Sequence, residues 1–95
     1  MNVKLDPDLL KKLKKVNVRI RNRFKERILL FIKNHNATEL NNHALHEPYA
    51  GLRSIDITND YRAVYKEVII GGEIVAYFSL FGTHKQLYKQ KKSVD

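Results

Sequence analysis

Residues 52–81 read LRSIDITNDYRAVYKEVIIGGEIVAYFSLF, in which apolar and polar side chains alternate locally, as in Ile55-Asp56-Ile57 and Tyr61-Arg62-Ala63, and β-branched and aromatic residues are frequent. A period of two residues is typical of β-strands that bury one face. The two interruptions are turn sequences, Thr58-Asn59-Asp60 and Gly71-Gly72, and short turns join antiparallel neighbours. The pattern therefore predicts three consecutive antiparallel strands over Leu52–Ile57, Tyr61–Val68 and Glu73–Phe81.

Two amphipathic helices are predicted before this stretch. Asp6-Pro7-Asp8 is a typical helix start, because Asp caps a helix and Pro fits its first position. Asn17 caps or breaks the helical pattern, and the second helix is expected to reach about Lys33. Apolar residues recur every three or four positions, which indicates a helical hairpin with one buried side. The two stripes are Leu9, Leu10, Leu13 and Val16, then Ile20, Phe24, Ile28, Phe31 and Ile32.

The remaining segments complete an α+β fold. Asn2–Leu5 is a candidate first strand, and residues 36–50 are expected to be mostly loop, with a helical turn near Thr38–Asn42. His84–Lys92 is expected to form a short basic C-terminal helix. We predict one domain over residues 1–95, in which an N-terminal helical hairpin packs on an antiparallel twisted sheet of three to four strands.

Composition narrows the setting. The chain has no cysteine, so disulfides and thiolate metal sites are excluded and a reducing compartment fits. The N-terminus carries no apolar signal region, and the longest apolar runs are too short to span a bilayer. These features predict a cytoplasmic protein without a membrane partner.

Positive charge is concentrated in the helical region. The net charge is +8, and residues 11–33 contain ten basic side chains and one acid, Glu26. Such a block favours a polyanion or an acidic protein as partner, although a solvated helix face is the plainer interpretation. A helix turns about 100° per residue, so its basic side chains cannot all share one face. The predicted RNA-binding residues are Arg19, Arg21, Arg23, Lys25 and Arg27, together with Arg53 on the sheet.

The chemistry-bearing residues lie between positions 43 and 88. Metal-independent RNA cleavage needs a base for the ribose 2′-hydroxyl, a cation for the phosphate and an acid for the departing oxygen. Histidine and arginine supply these groups, and an aromatic ring can stack on a base. The residues of interest are His43, His46, Arg53, Asp56, Asp60, Arg62, His84 and Tyr88.

Each of these residues also has a plainer interpretation. The histidines could lie on the surface, or could bind zinc together, although nothing else in their spacing supports zinc. Asp60 could only set its turn, Asp56 could only pair with an arginine, and Tyr88 could belong to the core. From composition and spacing alone, the chain is a basic α+β domain suited to nucleic-acid binding.

Four segments resemble the RelE superfamily of type II toxin–antitoxin toxins, most of all its YafQ branch. The segments are His43-Ala44-Leu45, residues 51–57, residues 60–65 with Asp60-Tyr61-Arg62, and Gly82-Thr83-His84-Lys85-Gln86-Leu87-Tyr88. The resemblance implies an mRNA endonuclease that acts in the ribosomal decoding site without metal or cofactor, together with a cognate antitoxin that wraps or blocks the toxin.

The resemblance also implies roles for individual residues. It places His43 and His84 among the catalytic residues and likens Arg62 to an arginine that lies against the phosphate. We assign His43 as the general base and His84 as the general acid. Asp60 would orient an imidazole or substitute as base, and Tyr88 would position a nucleotide base. Asp56 departs from the pattern, because YafQ-like toxins often have histidine there. If Asp56 is only a surface or turn-pairing residue, Asp56→Asn is expected to retain activity and Asp56→His could raise it.

Two alternatives stay open. A ParE-like toxin inhibits DNA gyrase without cutting nucleic acid, and it does not need the paired histidines His43 and His84. An inactive relative would only bind RNA or an antitoxin, and Asp56 keeps that hypothesis open. We interpret His46 as a surface residue whose replacement is nearly silent.

Overall fold

The structure, a computed structural model, describes residues 1–88 and confirms the α+β class. Its strands are β1 (Asn2–Leu5), β2 (His43–Ala44), β3 (Arg53–Asp56), β4 (Tyr61–Ile70) and β5 (Glu73–Thr83). Its helices are α1 (Pro7–Lys15), α2 (Val18–Lys33) and α3 (His84–Leu87), and a single 3₁₀ turn covers Thr38–Leu40. The predicted continuation of the last helix over residues 89–92 lies outside the described residues.

The sheet differs from the prediction in strand number and direction. It has five strands in the order β1-β5-β4-β3-β2 instead of three or four, and β1 runs parallel to β5, so the sheet is mixed. The three longer strands pair antiparallel as predicted. Direction was missed because alternation in a four-residue strand does not encode which way its neighbour runs. β2 was missed because two residues are too few to show a period.

Side-chain caps start both long helices. The Asp6 carboxylate accepts a hydrogen bond from the Asp8 amide at 2.8 Å, and the Asn17 side chain accepts one from the Ile20 amide at 3.1 Å. α1 ends at Lys15 with Val16 as its C-cap, and Asn17 caps the start of α2. This two-residue connection produces the predicted helical hairpin.

One face of the sheet packs against the helices. Phe31 is fully buried, and its ring meets the rings of Tyr65 and Phe78 edge to face at 5.0 and 5.2 Å. Burial of such a side chain stabilises the fold by about 1.5–3 kcal/mol. Ile32 and Leu10 do not join this core as predicted, because each lies on the outer side of its helix and is 44% and 40% exposed.

The opposite face of the sheet carries polar residues. Ile55 and Ala63 point into the helix-packed core, so alternation places Ser54, Asp56 and Arg62 on the other side. This second face receives the loop after β2 and the short helix α3.

The β4–β5 hairpin extends beyond the rest of the sheet. Its turn uses Gly71 and Gly72 at φ +59° and +80°, the left-handed conformations that the predicted turn requires. β3 pairs with β4 only as far as Tyr65. The tip of the hairpin therefore leaves Ile69, Ile70 and Ile74 exposed.

Candidate active-site groove

An open groove of about 260 Å³ lies on the polar face of the sheet. Four of the five predicted catalytic residues line it, namely His43, Arg62, His84 and Tyr88. The groove is completed by Ala44, Leu45, His46, Glu47, Tyr49 and Ser54. Residues separated by more than 40 positions in sequence thus meet at one surface, because β2 and the first residues of β4 and α3 lie side by side there.

His43 is held in one ring orientation at the edge of the sheet. It pairs with Ser54 across β2 and β3, and its Nδ1 lies 2.7 Å from the carbonyl oxygen of Asn41. A carbonyl oxygen can only accept, so this contact requires the proton on Nδ1. In the neutral ring, Nε2 then keeps its lone pair, which is the form that a general base needs.

His84 and Tyr88 form an aromatic pair on α3. Their ring centroids are 4.5 Å apart, and Tyr88 in turn meets Tyr49 edge to face at 5.6 Å. The Tyr49 hydroxyl donates to the Leu87 carbonyl at 2.7 Å and so ties the loop after β2 to α3. The three rings form one wall of the groove.

Arg62 has structural contacts as well as a place in the groove. Its Nη1 donates to the carbonyls of Thr58, Asn59 and Tyr61 at 2.9–3.1 Å, which closes the turn between β3 and β4. Its Nε lies 3.0 Å from Oδ1 of Asp56, and the Arg62 side chain is only 19% exposed. The guanidinium is therefore a fixed positive charge beneath the groove.

Asp60, the fifth predicted catalytic residue, is not among the residues that line the groove. It is exposed in the β3–β4 turn, and its backbone carbonyl accepts a hydrogen bond from the His84 amide at 3.0 Å. The structure therefore brings Asp60 next to His84 through the backbone, and not through its carboxylate.

Several solved structures that superpose on this chain are those of toxins. Neither the protein-family models nor the curated proteins contain a match to this chain. Among solved structures, a YoeB/ParE toxin from Agrobacterium tumefaciens superposes with a TM-score of 0.70 at 18% identity, over 88% of this chain and 99% of that chain. YafQ from E. coli gives 0.70 at 21% identity, over 92% and 97%. The toxin–antitoxin complex DinJ–YafQ from E. coli gives 0.68 at 22%, over 92% and 96%.

The chain shares the fold of these YoeB/ParE and YafQ toxins. The resemblance noted in the sequence is thereby confirmed at the level of the fold, including a helical pair on one face of the sheet and a short helix after the last strand.

Within this RelE-type fold, the predicted RNA-binding residues lie away from the groove. The five basic residues of α2 belong to the helix layer on the other side of the sheet. Arg21 and Arg27 each donate to a backbone carbonyl, and Arg23 pairs with Glu26 at 3.7 Å. Arg19 and Lys25 are exposed.

Arg53 also points away from the groove. It neighbours Ser54 in the strand and therefore faces the helix side, where its Nε donates to the Asn42 side chain at 2.9 Å. The Asn42 amide in turn donates to the hydroxyl of the buried Tyr65 at 2.8 Å. These contacts give Arg53 a place in the packing of the sheet edge.

Sequence reasoning missed Tyr49 and Ser54, which line the groove. His46 is exposed, as expected of a surface residue, and it also lines the groove. Ser54 is fully buried, and its hydroxyl has no hydrogen-bond partner among residues 1–88. The sequence did not point to Ser54, because its place opposite His43 depends on β2, which the sequence pattern did not reveal. Tyr49 gave no signal, because its partners lie 38 and 39 positions along the chain.

The structure offers no arrangement for a metal ion among its described residues, since no three His, Asp or Glu side chains cluster within residues 1–88. No helix in that range combines the length and the apolar character that crossing a bilayer requires.

Proposed function

We propose that the chain is the toxin of a type II toxin–antitoxin system and that it cleaves messenger RNA on the ribosome, with residues 1–95 acting as a single domain and without metal or cofactor. The observation that carries the proposal is the meeting of His43, His84, Arg62 and Tyr88 in one open groove. The fold supports it, because the similar structures are YoeB/ParE and YafQ toxins.

The groove supplies a complete acid–base set for attack by the 2′-hydroxyl. Nε2 of His43 takes the hydroxyl proton, and the 2′-oxygen bonds to the adjacent phosphorus. Arg62 stabilises the charge that builds on the phosphate. His84 gives a proton to the 5′-oxygen as its bond to phosphorus breaks, and Tyr88 holds a nucleotide base by stacking. Asp60 contributes through its backbone contact to His84.

Dependence on the ribosome follows from the openness of the groove. A shallow site on the face of a small sheet does not itself hold a flexible RNA strand in line for attack. The ribosome would supply that orientation, which can account for much of the barrier in such reactions. The proposal therefore includes ribosomal RNA and message as partners, with naked RNA a poor substrate.

An antitoxin is the proposed protein partner. DinJ–YafQ and RelBE are complexes of a toxin with its antitoxin, and the net charge of +8 on this chain suits an acidic antitoxin segment.

The test is cleavage of a translated message in a reconstituted translation system. His43→Ala and His84→Ala are expected to slow cleavage by about a hundred- to ten-thousand-fold, the usual contribution of general acid–base groups. His35→Gln is the matched control, since His35 packs against Phe31 outside the groove. Circular dichroism and antitoxin binding verify that each variant is folded.

Two outcomes would reject the endonuclease proposal. If folded His43→Ala and His84→Ala variants cleave at the wild-type rate, or if naked RNA is cut as fast as translated message, the roles assigned here are wrong. If the chain then inhibits the supercoiling of DNA that gyrase catalyses, it is a ParE-like toxin. Binding to RNA or antitoxin without either effect would identify an inactive relative.

A further inference from the structure

Asp56 contacts the groove residue Arg62 directly, and it contacts Asn41, whose carbonyl faces the groove residue His43. It sits on β3 opposite Arg62 of β4, and its side chain is 29% exposed. Oδ1 lies 3.0 Å from Nε of Arg62, and this close charge pair holds the stem of the arginine while the turn carbonyls hold Nη1. Oδ1 is buried and accepts no hydrogen bond from residues 1–88, so charge attraction is the main component of this contact.

The second oxygen of Asp56 contacts the segment that carries His43. The side-chain amide of Asn41 donates to Oδ2 at 3.4 Å, a long hydrogen bond. Asn41 has φ +48°, a left-handed conformation that Asn tolerates better than most residues. The contact to Asp56 therefore helps to hold a bend that the chain must make immediately before β2.

The same bend fixes the ring of His43. The carbonyl of Asn41 accepts from Nδ1 of His43 at 2.7 Å, so the direction of this carbonyl decides which nitrogen carries the proton. β2 has only two residues and forms the edge of the sheet. The strand hydrogen bonds therefore constrain the His43 ring only weakly, and the hydrogen bond to the Asn41 carbonyl fixes its orientation.

We infer that Asp56 is a positioning residue that holds both Arg62 and, through Asn41, the proton-accepting tautomer of His43. The inference rests on the proposed function for its link to catalysis, whereas its contacts stand independently. It gives the departure from the YafQ-like pattern a physical role: a carboxylate can pair with a guanidinium through one oxygen and accept from an amide through the other. A neutral histidine has a single acceptor nitrogen and cannot replace both contacts.

Two substitutions separate the two arms of this arrangement. Asp56→Asn removes the negative charge that faces Arg62 and leaves a single acceptor oxygen, so the contacts to Arg62 and Asn41 cannot both be kept. Asn41→Gly removes only the side-chain link, because glycine keeps both the left-handed bend and the carbonyl that faces His43. Glu67→Gln is the matched control, since it neutralises an exposed carboxylate on β4 that does not line the groove.

The first measurement needs no enzymatic activity. Nitrogen-15 NMR of the imidazole distinguishes the two neutral tautomers of His43. We expect Nδ1–H to dominate in the wild type and in Glu67→Gln, and to lose population to Nε2–H in Asp56→Asn and Asn41→Gly. An unchanged His43 spectrum in both variants would overturn the inference, whether or not the chain cleaves RNA.

The second measurement is single-turnover cleavage of translated message. Misplaced catalytic groups can lower a rate on the order of a hundredfold, so we expect Asp56→Asn to lose about tenfold to a hundredfold at saturating ribosomes, with no change in the half-saturating ribosome concentration. Asn41→Gly should lose less, and the double variant no more than Asp56→Asn, because both act on one path. Full activity in folded Asp56→Asn, or a gain in Asp56→His, would contradict the inference. Absence of cleavage by the wild type would instead reject the proposed function.

Discussion

At the scale of single residues, Asp6 connects three parts of the fold. Its carboxylate caps α1, its Oδ2 accepts from the Tyr77 hydroxyl at 2.6 Å, and its amide donates to the Phe78 carbonyl at 2.9 Å. The hydrogen bond from Tyr77 holds the pKa of Asp6 below its ordinary value of 3.8, and the same bond raises the pKa of Tyr77 above 10.0. One contact therefore links the first helix to the last strand and depends on pH at both ends.

Tyr77→Phe should lower stability most between these two values. A carboxylate with a lowered folded pKa contributes fully above its unfolded value, and the contribution is lost as pH falls through the folded pKa. A phenol with a raised pKa contributes below its unfolded value and loses the contribution as pH rises. Urea unfolding should show a difference from wild type at about pH 7 that shrinks near pH 3.

Tyr61→Phe is the control for this experiment. The Tyr61 ring stacks on Phe81 and is retained in the variant, while the Tyr61 hydroxyl makes no hydrogen bond within residues 1–88. A Tyr77→Phe effect that is constant from acid to neutral pH would show that Asp6 is not the partner that matters.

Some residues of the groove could be predicted from the sequence and others could not. His43, Arg62, His84 and Tyr88 could be named because their side chains carry the chemistry of phosphate cleavage and sit in recognisable segments. Tyr49 could not, since it acts by holding Leu87 across 38 residues, a relation that no local pattern encodes. Asp56 stood out in the sequence, but its double contact to Arg62 and Asn41 needs the strand register and the bend.

At the scale of elements, α3 depends on its cap. The helix has four residues, and a capping box starts it: Thr83 Oγ1 accepts from the Gln86 amide at 3.1 Å, while the Gln86 side chain accepts from the Thr83 amide at 2.9 Å. A helix this short has almost no stability of its own. The orientation of His84 and Tyr88 therefore depends on two reciprocal hydrogen bonds.

Gly82→Ala should disturb that cap without straining the backbone at position 82. An added Cβ would lie 2.8 Å from Oε1 of Gln86, so the Gln86 side chain must move away from the Thr83 amide. Loss of a cap costs about 0.5–2 kcal/mol. We expect faster hydrogen exchange at the Tyr88 amide, which donates to the His84 carbonyl.

Lys85→Ala serves as the comparison, because Lys85 is exposed on the same helix. Equal exchange rates in Gly82→Ala and Lys85→Ala would mean that the capping box does not hold α3 in place.

The elements themselves were predicted where patterns are long. α2 shows its apolar stripe over sixteen residues. β4 and β5 are ten and eleven residues long, are rich in β-branched and aromatic residues and are joined by a Gly-Gly turn. β1 was found but its direction was not, and β2 was missed, because each is defined by what it pairs with and not by its own residues.

At the scale of the whole molecule, charge and chemistry occupy different sides of the sheet. The basic residues of α2 lie in the helix layer and the groove lies on the opposite face. If α2 contacts ribosomal RNA, binding and cleavage should respond to different variants. Each neutralised phosphate releases counterions, so affinity should fall steeply with salt.

Arg19→Ala and Lys25→Ala test this separation, since both side chains are exposed on α2. Each is expected to weaken ribosome binding and to reduce the slope of log affinity against log salt concentration by about one, while the cleavage rate at saturating ribosomes stays at the wild-type value. Affinity that stays flat from low to high salt would exclude this contribution of α2.

The hairpin tip that extends past β3 has a consequence for how this chain behaves at high concentration. Along Lys66–Ile70, the backbone of β4 has no strand neighbour on its β3 side within residues 1–88, and Ile69 in this run is 77% exposed. Unpaired strand edges with apolar side chains promote pairing between chains and aggregation, whereas charged side chains such as those of Lys66 and Glu67 oppose it. At this edge, Lys66 and Glu67 therefore oppose the association between chains that the exposed Ile69, Ile70 and Ile74 promote.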